Sequence, residues 1–137
     1  MSTRLFLDAV FVVALINHRD QYHDQAVELA ASYENRHFLI TDVVLLEIAN
    51  ALARRYRPQA VQVLDRFLTS EDVEVVRLTP ELFDQAFALY RAHEDKEWGL
   101  TDCISFEVMR EAGIRDALTF DQHFAQAGFR ALMREAR

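Results

Sequence analysis

Short strand-like runs alternate with helical segments along the chain, and this alternation limits the fold more than any other feature. Residues 4–8 read as a strand. Residues 10–16 read as a buried helix packed close behind it, with a Val and Phe content that leaves a strand open. Residues 20–35 carry apolar positions at Tyr22, Ala26, Val27, Leu29, Ala30 and Tyr33, a helical spacing. A strand over 37–41, a helix over 42–56 and a further helix from Pro58 to about residue 68 follow. Residues 73–78 alternate as a strand. Thr79-Pro80-Glu81 opens a helix reaching residue 93, with a hydroxyl cap, a proline and an acid against the dipole. Beyond a polar loop over 94–99, Thr101 reads as the cap of a helix ended by Gly113. A strand over 116–120, a short helix over 121–125 and an edge strand over 129–132 complete the pattern. Strands separated by helices need crossover connections, so the expected class is α/β, a mainly parallel sheet with helices on both faces.

Composition narrows the setting. The 137 residues fit one domain over 1–137. The apolar stretch at residues 9–16 is far too short to span a bilayer, and no basic segment precedes it. One cysteine, Cys103, forbids an internal disulfide and suits a reducing cytoplasm. A net charge of −7 argues against binding nucleic acid by broad charge neutralisation. It leaves open a local grip on phosphate through cations and a few arginines; Lys96 is the only lysine.

Four acids sit inside or against apolar runs. Asp8 closes Leu5-Phe6-Leu7, Glu47 interrupts a run from Val43 to Ala49, Asp102 precedes Cys103-Ile104, and Asp121 follows Leu118-Thr119-Phe120. A buried carboxylate is costly unless it is paired or holds a cation. No lysine or arginine lies close in sequence to any of them. Taken singly, Asp121 can serve as a helix cap, Asp102 can offset a helix dipole and Asp8 can start a turn. Glu47 flanks the core on the side of Asn50 and Arg54. Asp8 and Asp121 fall at strand carboxyl ends, Asp102 in the first turn of a helix and Glu47 about one turn into another, places that can line one crevice. Four converging carboxylates would suit a hard cation, Mg²⁺ or Mn²⁺, able to clamp a phosphodiester. The five histidines show no zinc-site spacing and read as surface or capping residues, Ser105 lacks a nucleophile elbow, and no phosphate-binding glycine loop is present.

These segments resemble the PIN-domain family, and within it the VapC-like toxin ribonucleases, over nearly the whole chain. Leu5-Phe6-Leu7-Asp8 is similar to the opening strand with its first acid, and the run from Thr41 to Leu52 to the second-acid helix. Trp98-Gly99-Leu100-Thr101-Asp102-Cys103-Ile104-Ser105-Phe106 is the most specific match, and Ala117 to Phe124 resembles the fourth-acid segment. The resemblance implies a three-layer α/β/α sandwich around a short parallel sheet and metal-dependent cleavage of RNA, with Asp8, Glu47, Asp102 and Asp121 as the metal-site acids. It implies a small antitoxin partner, homodimerisation, and an mRNA or tRNA target.

On that basis Asp8 would be the central ligand, Glu47 or Asp121 would help deprotonate the attacking water, and a 5′-phosphate would remain. Arg54 is the candidate for an adjacent phosphate, with Thr101 and Thr119 as supporting hydroxyls. One departure stands out. The family usually has a threonine or serine after the first acid, whereas this chain has Ala9-Val10. Loss of a supporting hydrogen bond of this kind costs about 10–100-fold in affinity or activity. The alternative is therefore a PIN-like scaffold that binds RNA or a protein without cutting. A receiver domain would need an acidic neighbour for Asp8, and a haloacid-dehalogenase-type phosphatase would need an acid where Val10 stands; neither is present.

Overall fold

A computed structural model describes residues 4–135. Five strands, β1 (Leu5–Leu7), β2 (Phe38–Thr41), β3 (Val73–Val76), β4 (Asp116–Leu118) and β5 (Arg130–Ala131), form one sheet in the order β3-β2-β1-β4-β5. Every pairing is parallel, with Phe6 opposite both Leu39 and Ala117, and Leu39 opposite Glu74. Because side chains alternate along a strand, this register sorts the sheet into two faces. Leu7, Phe38, Val73 and Leu118 face a layer made by α1 (Ala9–Ile16), α2 (His23–Ser32) and α4 (Arg57–Thr69), where Phe11, Ala30 and Phe67 meet them. The opposite face carries Phe6 and Leu39. It is covered by α5 (Pro80–Ala92), α6 (Leu100–Ala112) and α7 (Gln122–Gln126), with Phe106 edge-on to Phe124 and Phe124 against Phe6. Helix α3 (Asp42–Ala51) follows β2 and packs beside α1. The result is the expected α/β/α sandwich, with a sheet that is wholly rather than mainly parallel.

Several boundaries differ from the sequence reading. The helix expected from residue 20 starts at His23. Asp20 Oδ1 instead accepts the Tyr22 N–H at 2.8 Å, a local turn that competes with the helix. The helix expected to reach residue 56 stops at Ala51; Leu52 is buried as its cap and 52–55 form a turn. Thr101 does not cap α6. Gly99 occupies the N-cap and its N–H donates to Asp102 Oδ2 at 3.0 Å. β3 stops at Val76 and β4 at Leu118, short of the expected ends. Cys103 is fully buried among apolar side chains, as a small hydrophobe.

Candidate active site

The chain runs from β1 outward to β3 on one side and then returns to place β4 on the other, so the strand order reverses between β1 and β4. In open parallel sheets that reversal opens a crevice beyond the strand carboxyl ends. Asp8 leaves β1 at this point as the N-cap of α1, and Asp121 follows β4 as the N-cap of α7. Thr119 joins them: its Oγ1 donates to Asp8 Oδ2 at 2.7 Å and accepts the Asp121 N–H at 3.0 Å. Asp102 reaches the crevice from the first turn of α6, and Glu47 from the middle of α3.

Asp8, Glu47 and Asp102 sense one another, and the charge of Asp121 acts on Asp102. Asp8 is only 8% exposed, and burial pushes its carboxyl up to about 7; the Thr119 hydrogen bond opposes the rise, while the charges of Glu47 and Asp102 add to it. Burial and then the Asp102 charge raise Glu47, against a hydrogen bond from the Thr101 side chain. Burial also raises Asp102, the Gly99 N–H opposes it, and the Asp121 charge adds to the rise. Among the described residues no lysine or arginine pairs with any of these acids.

The basic group in the cluster is His123, which the sequence reading had left as a surface or capping residue. Its Nδ1 lies 3.1 Å from Asp102 Oδ2 and 3.3 Å from Asp121 Oδ1, while its backbone N–H donates to Asp121 Oδ1 at 2.9 Å. Ligand atoms of Asp102, Asp121 and His123 all lie within 4.8 Å of one another. The only signal in the sequence was the Asp-x-His spacing at a helix start, which is too common to single out. Carboxylate oxygens with one imidazole nitrogen form a donor set that fits Mg²⁺ or Mn²⁺ and lacks the thiolates of a structural zinc site.

The supporting residues divide. Thr119 contacts Asp8 directly, and Thr101 serves Glu47 rather than a helix cap. Arg54 is not on the helix face shared with Glu47, because α3 ends at Ala51; it sits exposed in the following turn. Around the crevice, Trp98 Nε1 donates to Gln126 Oε1 at 3.1 Å and the indole meets Phe106 edge-on, which fixes the start of α6 against α7.

A three-layer parallel fold with carboxylates gathered at its switch point defines a class, and comparison of the sequence agrees: the PIN domain profile matches residues 5–130. The chain belongs to the PIN domain family. It is 34% identical over 125 residues to the 23S rRNA-specific endonuclease VapC20 of Mycobacterium tuberculosis, covering 91% of this chain and 95% of the relative. A crystal structure of M. tuberculosis VapC20, described as a sarcin-ricin loop cleaving toxin, superposes with a TM-score of 0.85 over 93% of this chain and 98% of that one, also at 34% identity. VapBC2 of Rickettsia felis, solved with a DNA fragment from its promoter, shares the fold at 18% identity and a TM-score of 0.65, covering 93% and 96% of the two chains.

Proposed function

We propose that this chain is a metal-dependent endoribonuclease, the toxin of a type II toxin–antitoxin pair, built as one PIN-like domain over residues 1–137. The observation that carries the reading is the convergence of Asp8, Glu47, Asp102 and Asp121 at the sheet's switch point, with no arginine or lysine in an ion pair with them among the described residues. These four acids are the proposed metal ligands and catalytic residues, with His123 beside them. When bound there, Mg²⁺ or Mn²⁺ would polarise the phosphodiester and lower the pKa of water at the site.

The chain's own groups supply the rest. Thr119 fixes the Asp8 carboxylate through Oδ2. Glu47, whose proton affinity is raised by burial and by Asp102, is suited to take the proton of the attacking water. In-line attack on phosphorus breaks the bond to the 3′-oxygen and leaves a 5′-phosphate. Thr119 gives Asp8 the hydroxyl hydrogen bond that Ala9 cannot, which favours a nuclease over the non-cutting scaffold.

The relative's substrate makes a structured hairpin of large-subunit ribosomal RNA the first target to test. The antitoxin would occupy the apolar groove of about 340 Å³ between α1, α2 and α4, lined by Phe11, Leu15, Ala30 and Phe67. The exposed aromatic stripe of Phe83, Phe87 and Tyr90 on α5 is the candidate homodimer face. Among the described residues no helix is long and apolar enough to cross a membrane, and a cytoplasmic setting fits a toxin acting on RNA.

The test is cleavage of ribosomal RNA by purified protein with Mg²⁺, Mn²⁺ or a chelator, beside Asp8→Asn and Asp102→Asn. Cleavage should need metal and fall more than about 100-fold in each variant, because even groups behind the ligands cost 10–100-fold. Equal cleavage by wild type and variants would sink the reading.

A further inference from the structure

We propose that the turn after α3 and the loop between α1 and α2 together form an arginine ridge that holds the phosphate backbone of the RNA substrate beside the acids. This rests on the nuclease reading above and names how that site would grip its substrate.

The two segments are tied to each other and to the crevice. His18, in the α1–α2 loop, meets the ring of Tyr56 edge-on at 6.0 Å, which joins this loop to the end of the α3 turn. At the other end of the same loop, Tyr22 stacks on Phe120 at 4.0 Å, one residue before Asp121. The loop therefore runs from the fourth-acid segment to the α3 turn. The turn begins five residues after Glu47, so Arg54 follows that acid by seven residues, four of them still within α3.

Arg19 projects from the loop, Arg54 and Arg55 from the turn, and Arg57 from the first residue of α4; all four are exposed. None of their guanidinium groups has a hydrogen bond or ion pair among the described residues. By contrast, Arg4, Arg110 and Arg130 are paired with acids. Helix electrostatics does not account for Arg57, because a cation at a helix N-terminus opposes the dipole and α4 has no acid in its first turn. Four unpaired guanidiniums on two segments joined through His18 and Tyr56, in a chain of net charge −7, supply local positive charge, and planar arginine forks match phosphate oxygens. Arg134 adds a fifth cation at the crevice edge, held by a 3.1 Å bond to the Phe120 carbonyl. An acidic protein needs such a local concentration of charge to bring an RNA strand to a crevice that is itself lined by carboxylates.

The test separates grip from cutting. Binding of a fluorescein-labelled RNA stem-loop is followed by anisotropy in the Asp8→Asn background, without added metal, across a salt series. Adding Arg54→Gln and Arg55→Gln together should weaken binding several-fold and reduce the slope of log K against log salt by roughly 0.7–1 per arginine. Arg19→Gln should reduce it by a further similar step. Arg115→Gln removes the same charge at the opposite end of the sheet, where it precedes β4, and should leave the slope unchanged. A slope and affinity unchanged in the Arg54/Arg55 variant, or reduced equally in Arg115→Gln, would overturn the proposal. So would intact RNA binding with lost binding to a co-encoded antitoxin, which would assign the ridge to a protein partner. Failure of the wild type to cut RNA would overturn the nuclease reading alone, since this binding measurement needs no cleavage.

Discussion

The Thr119 hydroxyl donates a 2.7 Å hydrogen bond to the Asp8 carboxylate, across 111 positions of sequence and between the two strands that flank the switch point. It gives Asp8 a hydroxyl partner, which the Ala9 side chain cannot. Thr119→Val keeps the shape and removes the bond. Cleavage should fall about 10–100-fold, and Thr119→Ser should restore most of it. A full-activity Thr119→Val variant would mean that Asp8 is oriented by other contacts.

Asp8 also makes the metal-free protein sensitive to pH. Its folded pKa is raised to about 7 from the usual 3.8, so the folded state holds a proton that the unfolded chain has released. The associated stability is fully present below about pH 4 and is lost as pH rises through about 7. The size is on the order of 2–4 kcal/mol before allowing for counter-ions in the crevice. Melting in chelator should therefore occur at a lower temperature at pH 8 than at pH 5 as far as this group decides it. Asp8→Asn should shrink that difference, and Mn²⁺ at pH 8 should offset it for the wild type only.

His123 brings a nitrogen to an otherwise oxygen-rich cluster. Imidazole suits transition metals better than Mg²⁺. His123→Gln should lower Mn²⁺ affinity by about tenfold in calorimetry while changing Mg²⁺ affinity much less. Equal losses for both ions would make His123 a positioning group for Asp102 and Asp121 rather than a ligand.

The aromatic stripe on α5 gives the proposed homodimer a direct test. Phe83, Phe87 and Tyr90 are 41%, 39% and 44% exposed at helical spacing. Phe83→Ser with Tyr90→Ser should convert a dimeric species to monomer in sedimentation without loss of fold. A wild type that sediments as a monomer at high concentration would remove the dimer.

Features with a local pattern were legible in the sequence. Short strand-like runs between helical segments marked the five strands, and each acid-bearing segment stood out because a carboxylate interrupts an apolar run at its own place. Helix ends were harder, because side chains decide them. The Asp20 turn delays α2, and the Gly99–Asp102 bond displaces Thr101 from the cap. The end of α3 at Ala51 moved Arg54 from a helix face to a turn. Groups that act only through the tertiary fold left the weakest trace. Nothing near Thr119 in sequence announces Asp8 as its partner, and His123 gains meaning only when α6 sets Asp102 beside it.

The pairing of β1 with β4 also bears on synthesis. Asp8 is synthesised more than a hundred codons before its hydroxyl partner and the strand that aligns it. A nascent fragment lacking β4 has no assembled crevice, so the acids gather only after β4 has been made and has paired with β1.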